Sequence, residues 1–473
     1  MGSQRSSSGD LEERGALLAA RAAASPAEGG EVPDKGLAGV IVPIIISAMG
    51  AFAFGYHLGV INGPLEVLAA DLGIAGDAAK TGSIVSTVLA GAAIGSFTGG
   101  SLADSLGRKR ALIANSVPLF LGAFLCATAT SLNVMLAGRA IAGLGIGIAS
   151  ALVPLFISEV SPPSIRGALG STNQLSICLG ILGALVINVV LPATAWRTMM
   201  GAAMVPAAVL GLGMLLLSPE SPRWLQRKGR AAEAAQAAEK LWGSDAALQG
   251  GESGAGSDSS SGSFFELFAK YRKATVIGGM LFLIQQFGGI NAIVYFSSAV
   301  FSKAGVASAT AASAAVGLVN VLGTVVAGGL MDKAGRVQLL SGSLLGMSAC
   351  MILQALSMQV PALAPLAAPI ALVGTLGYVL AFALGAGPCP ALLSSEIFPA
   401  RVRGSGVAWC MGVHWVTNFA IGQFFLAAVQ AFGVPAVYMF FATVCAAGAA
   451  YVRAFVIETK GKSLEQIEMA MSS

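Results

Sequence analysis

The chain has 473 residues, of which 55% are hydrophobic and only 11% charged, with a formal net charge of +4. A soluble domain carries about 25% charged residues, and a membrane-spanning helix takes about 20 predominantly apolar ones. The composition therefore excludes a cytosolic enzyme and a disordered scaffold, and so small a net charge gives no reason to expect nucleic acid as a partner.

Residues 1–36 are rich in Ser, Ala, Gly and charge and read as a disordered tail. Arg5, Arg14 and Arg21 suit an organelle transit segment, whereas Asp10, Glu12 and Glu13 do not. From Leu37 onward long apolar runs alternate with short polar breaks. Hydropathy places six spans at 38–62, 82–103, 111–130, 134–156, 168–191 and 198–217. Six more follow at 275–301, 309–331, 338–358, 365–394, 405–427 and 434–456. Between the two sets, 218–274 holds Pro219-Glu220-Ser221-Pro222-Arg223, a helical Ala/Glu/Lys stretch at 230–248 and a flexible Gly/Ser linker at 249–263. The 17 residues after Val456 form a short C-terminal tail. The expected domains are thus the tail at 1–36, a six-helix half at 37–217, an intracellular loop at 218–274, a second half at 275–456 and the tail at 457–473.

All but four of the 27 Lys and Arg residues fall in the N-terminal tail, after even-numbered spans, or at the C-terminal end; the four are Lys80, Arg139, Arg197 and Lys303. The positive-inside tendency then puts both termini and the long loop on one cytoplasmic-type face, as an even number of spans requires.

The loops on that face repeat. Asp104, Gly107 and Arg108 after span 2 recur as Asp332, Gly335 and Arg336 after span 8, at an offset of 228. Glu159 and Arg166 recur as Glu396 and Arg403 at an offset of 237, and Glu220 recurs as Glu458 at 238. Three motifs in the same order imply two homologous halves, and so an all-α membrane protein of twelve transmembrane helices in two pseudo-symmetric six-helix halves. Their carboxylates and bases, with Arg223, read as salt bridges that latch the halves together on that face and break during alternating access. Ordinary helix capping is the competing reading.

Gln174, Gln285, Gln286, Asn291, Asn320 and Asn418 are uncharged polar groups inside otherwise apolar spans, so each must face the bundle interior or a cavity. Interhelical hydrogen bonding is the alternative for any one of them. The six cysteines contain no CxxC pair and the two histidines are far apart, which gives no metal site and no cofactor.

Gly107-Arg-Lys-Arg110, Pro219-Glu-Ser-Pro-Arg-Trp224, Gln285-Gln-Phe-Gly-Gly-Ile-Asn291 and Glu458-Thr-Lys-Gly461 resemble the sugar porter family of the major facilitator superfamily. Gly55-Tyr-His-Leu-Gly-Val-Ile-Asn62, Gly387-Pro-Cys-Pro-Ala391 and Gly412-Val-His-Trp415 are similar to its plastidic glucose-carrier branch of plants and green algae. That resemblance implies the major facilitator fold, no enzyme activity, and a hexose such as D-glucose as the small-molecule substrate. It implies a monomeric membrane protein in the lipid bilayer of the chloroplast inner envelope, the plasma membrane being the alternative. It also makes the six amides sugar ligands, with Trp415 as an aromatic platform and His57 and His414 lining the pathway. Plasma-membrane relatives carry a glutamate and a tryptophan where this chain has Ala383 and Ala391, and an asparagine at His414. The family's arginine at Arg139 supports the outer gate.

Proton-coupled relatives show Gly-Tyr-Asp in span 1, where this chain has His57, and every acid here lies in a tail, loop or helix end. Facilitated diffusion is therefore expected. A proton-coupled symporter using His57 is the alternative, and a non-transporting sugar sensor is a second one. Gly387, Pro388 and Pro390 in span 10 read as a hinge, because proline removes a backbone donor and kinks a helix.

Overall fold

A computed structural model describes residues 34–162, 165–243, 264–399, 401–462 and 464–472. The expected N-terminal tail up to residue 33 and the Gly/Ser linker at 249–263 lie outside the described residues. Within them the chain is helical and contains no strand.

Eleven helical stretches are long and apolar enough to cross a membrane. Spans 1–5 run Asp34–Gly59, Ala78–Leu106, Arg108–Ala127, Leu132–Val160 and Arg166–Val190. Span 6 is assembled from Trp196–Gly201 and Met204–Leu217. In the second half, spans 8 and 9 run Ala309–Ala334 and Arg336–Gln359. Spans 11 and 12 appear as one 53-residue stretch, Arg403–Phe455, which contains a non-helical Gly433 at φ 81°, ψ 158°. Counting its two arms gives the twelve crossings that hydropathy expects. Among the described residues, the loop between the halves contributes three short helices, Pro222–Arg227, Ala231–Trp242 and Phe264–Ala269.

Spans 7 and 10 are broken as well, and both of these breaks have identifiable causes. Span 7 is Arg272–Phe287 followed by Ile290–Lys303. Gly289 between them sits at φ +100°, a left-handed conformation that glycine adopts without a Cβ penalty. Space demands glycine there as well, because a Cβ would stand 2.5 Å from the Phe441 ring. The Gly288 carbonyl exposed at this break accepts from Tyr378 Oη of span 10 at 2.7 Å. Span 10 passes from Ala367–Ala381 through a π-helical turn, Phe382–Ala386, before resuming at Cys389–Glu396. Gly387 N donates to Phe382 O at 2.8 Å, and the next residue is Pro388. A π-turn followed by two prolines is a recognised source of a helix kink.

Spans 2 and 4 meet along small residues: a Cβ on Gly91 would lie 2.2 Å from Ala140 O, and one on Gly147 would lie 2.0 Å from Ala92 O. Spans 1 and 5 approach as closely, at Gly55 against Ile177 O. Backbones this near one another need glycine at the contact.

Candidate functional site

The polar groups of the spans gather at three depths. On the inner face, the repeated motifs build the same device twice. Gly107 and Gly335 adopt matching left-handed-side backbones, at φ 91° and 86°. Arg108 N and Lys109 N then donate to Glu220 at 2.9 and 3.0 Å, while Arg336 N and Val337 N donate to Glu458, both at 3.0 Å. The Arg108 guanidinium is buried and bonds Glu159 through Nε and Nη2, at 2.8 and 3.0 Å, and Ala103 O at 2.9 Å. Arg336 in turn reaches Glu396 at 3.4 Å and Met331 O at 3.2 Å. A hydroxyl closes each ring at 2.5 Å, from Ser221 to Glu159 and from Thr459 to Glu396. Burial pushes the Glu458 carboxyl up, but the backbone N–H groups of Lys460, Arg336, Val337 and Thr459 outweigh it and hold the group below its ordinary value.

In this conformation the expected latch between the halves is not formed. Each ring closes within its own half, and no ion pair among the described residues joins the halves on this face. The reason is saturation. Glu159 already accepts from Arg108 twice, from Arg227 at 2.7 Å and from Ser221, leaving little acceptor capacity for the other half. Asp104 pairs with Arg108 at 3.1 Å. Arg166 Nε and Nη2 are buried without a partner among the described residues, and Arg403 Nε donates to Phe398 O at 3.3 Å. Burial first, then the neighbouring Arg166, holds the Arg223 guanidinium below its usual value, with Glu159 opposing. The Asp332 side chain lies outside the described residues.

At the outer face the halves do join, through uncharged groups. Asn62 Nδ2 donates to Val294 O at 2.6 Å and Ser297 Oγ at 2.9 Å, and Asn62 Oδ1 accepts from Ser298 N at 3.1 Å. Gln423 of span 11 accepts from Ser86 Oγ at 2.6 Å and donates to Ala79 O at 3.0 Å. Arg139 is fully buried nearby, donating to Ile84 O at 2.9 Å and His57 O at 3.0 Å. It thus ties spans 1, 2 and 4 together through backbone carbonyls, which an arginine resting at the membrane surface would not do.

Between these faces lies the cluster built by spans 7 and 11. Gln286 Nε2 donates to Gln285 Oε1 at 3.1 Å and to His414 Nδ1 at 2.8 Å, while its oxygen accepts from Asn291 Nδ2. His414 stands edge-on to Trp415 at 4.9 Å and to Phe282 at 5.7 Å. Asn418 Oδ1 accepts from Tyr295 Oη at 3.0 Å, and Phe54 of span 1 packs on Trp415 at 5.7 Å. Gln174 stands apart from this cluster, where spans 5 and 8 meet, and among the described residues Asn320 enters that contact only through its backbone carbonyl. Gln174 Nε2 donates to Cys178 Sγ at 3.7 Å, Cys178 faces Thr324 Oγ1 at 3.4 Å, and Thr324 bonds Asn320 O at 2.8 Å. Both ring nitrogens of His57 and the Trp415 Nε1 are buried without a partner among the described residues; buried polar atoms of that kind call for a ligand or water to complete them.

Gln285 is redirected. Its Nε2 donates to Ala386 O at 2.7 Å and Gly387 O at 3.0 Å, beside Pro388 and Pro390 at the span 10 break. Its nitrogen thus fills the interhelical role while its oxygen stays in the cluster, accepting from Gln286 Nε2 at 3.1 Å. Asn62, Gln423 and Tyr295 were not expected from the sequence. Gln423 carries the same signal as Asn418, an amide in an apolar span, and Asn62 ends the Gly55–Asn62 stretch that closes the first span.

A family model described as sugar (and other) transporter matches residues 43–471. Plastidic glucose transporter 4 of Arabidopsis thaliana is 51% identical over 443 residues, covering 92% of this chain and 81% of that one. The inward open conformation of the xylose transporter XylE from E. coli superposes with a TM-score of 0.77 at 28% identity, covering 90% and 99% of the two chains. The proton:xylose symporter XylE bound to 6-bromo-6-deoxy-D-glucose gives 0.74 at 29% identity, covering 92% and 100%.

Proposed function

The chain belongs to the sugar transporter family of integral membrane carriers, and we propose that within it this protein is a facilitative uniporter of glucose and related hexoses. It works by alternating access of two halves, 37–217 and 275–456, as a monomer in the plastid inner envelope. The 51% identity to a plastidic glucose transporter supports both substrate and membrane.

The observation that carries the reading is the uncharged cluster itself. Gln286, Asn291 and His414 meet edge and face with Trp415 and Phe282, and no carboxylate takes part. Amides that donate and accept, beside flat rings, suit a neutral polyol with apolar C–H faces. Gln286, Asn291, His414, Trp415 and Asn418 are assigned to the sugar on one side, and Gln174 with Asn320 on the other. Uniport is supported by Arg139, whose described partners are backbone carbonyls where a proton-coupled carrier would be expected to offer an acid.

A second reading, proton-coupled symport through His57, is favoured by that ring's burial without a partner and by the similarity to a proton:xylose symporter. Purified protein in proteoliposomes separates the two. Under an imposed pH gradient labelled glucose is expected to equilibrate and go no further. Accumulation against its own gradient would refute uniport.

A further inference from the structure

The amides of the central cluster have a direction, and that direction starts in the backbone of span 10. Pro390 has no N–H, so the Ala386 carbonyl loses its helical partner one turn on. It accepts instead from Gln285 Nε2 at 2.7 Å, as does the Gly387 carbonyl at 3.0 Å. Carbonyls only accept, so Gln285 must turn its NH2 toward span 10 and its oxygen toward Gln286. Gln286 answers with its own NH2, one N–H to Gln285 Oε1 at 3.1 Å and the other to His414 Nδ1 at 2.8 Å. Its oxygen faces Asn291 Nδ2. An amide nitrogen cannot accept, so His414 Nδ1 must, and the neutral ring carries its proton on Nε2. Phe282 and Trp415 hold the imidazole in place, with interplanar angles of 90° and 84°.

We propose that His414 is a specificity-determining residue that acts through Gln286: by accepting from that amide it completes the occupation of both Gln286 N–H groups, so Gln286 meets a sugar only as an acceptor. The site then selects a hydroxyl that donates to Gln286 Oε1. The residue on which this rests, Gln286, comes from the sugar-site reading above. An asparagine at 414 would keep the acceptor and a phenylalanine would remove it.

Deoxy and deoxyfluoro glucose analogues test this, because fluorine replaces a hydroxyl in size and accepts weakly but cannot donate. In uptake by the wild-type protein in proteoliposomes, one ring position is expected where the fluoro sugar is as poor as the deoxy sugar. Each should raise KM about tenfold over glucose, the effect of one lost hydrogen bond. In His414→Phe the freed N–H should improve the fluoro sugar at that position about tenfold relative to the deoxy sugar. His414→Asn should keep the wild-type pattern.

A wild-type protein that prefers fluoro to deoxy at every position overturns the proposal without any variant. A transporting His414→Phe protein with the wild-type pattern overturns it too. Should that variant not fold, the wild-type series decides alone. The underlying site reading fails separately, if Gln286→Ala leaves the KM for glucose unchanged.

Discussion

Two adjacent glutamines in span 7 look alike in sequence and differ in the structure. Gln286 sits among side chains, whereas Gln285 caps two backbone carbonyls of another span. Removing Gln285 leaves those buried acceptors bare, at about 1–3 kcal/mol for an unsatisfied group. Gln285→Ala is therefore expected to lower the melting temperature of the purified carrier by several degrees, with only a modest rise in KM. Gln286→Ala strips Gln285 Oε1, His414 Nδ1 and Asn291 Nδ2 of a partner, so it should also lower the melting temperature, and in addition raise KM about tenfold or more. Equal KM values for the two variants would contradict the division. The sequence showed that both residues must face the interior, because an amide in hydrocarbon has to be satisfied. It could not show which of the two meets the backbone, since that depends on where the span 10 break falls relative to span 7. Similarly, nothing local to Asn62 reveals that its partners are Val294, Ser297 and Ser298, more than 230 positions away.

At the scale of the helices, hydropathy locates the crossings, and Gly288-Gly289 and Pro388-Pro390 mark the breaks in spans 7 and 10. The π-turn before Gly387 was not legible, because five-residue spacing leaves no hydrophobic period of its own. The outer closure is also a property of elements, since span 1 is pinned to span 7, and span 2 to span 11, by neutral groups alone. Asn62→Ala removes the span 1 pin. The population open at the outer end is expected to rise by about tenfold for about 1.4 kcal/mol of lost bonding. Faster labelling of a cysteine placed at Ser313, which is buried behind the pin, by a membrane-impermeant maleimide would report it. Unchanged labelling would mean that packing closes this end.

For the whole molecule, the repeat read from the loops becomes a repeat in three dimensions, with matching backbone-to-carboxylate bonds around Gly107 and Gly335, while among the described residues Arg336 Nε lacks the partner that Arg108 Nε finds in Glu159. What sequence could not supply was whom the charges face, because a latch between halves and a ring within each use the same residues. The C-terminal ring has a predicted pH dependence. The folded Glu458 carboxyl lies below its ordinary value of 4.5, so it binds fewer protons folded than unfolded. Its stabilisation is complete above the unfolded value and disappears as pH falls through the folded one. Thermal melting of wild type against Glu458→Gln should show a constant wild-type advantage from neutral pH down to about 5, then a shrinking one. An advantage that grows on acidification would refute this account.

Gly433 has a mechanical consequence. It is the single non-helical residue between two arms that together run for 53 residues, so spans 11 and 12 share a joint with no slack. Phe425 and Phe441, one on each arm, stack 6.3 Å apart, and Phe425 in turn stacks on Phe296 of span 7 at 4.9 Å. A tilt of the arm that carries His414 must therefore drag its neighbour and the outer segment of span 7 with it. Loosening that joint, for instance by lengthening the connection with a few flexible residues, would let one arm move while the other stayed behind. The carrier would then lose turnover while its sugar-facing residues remained intact.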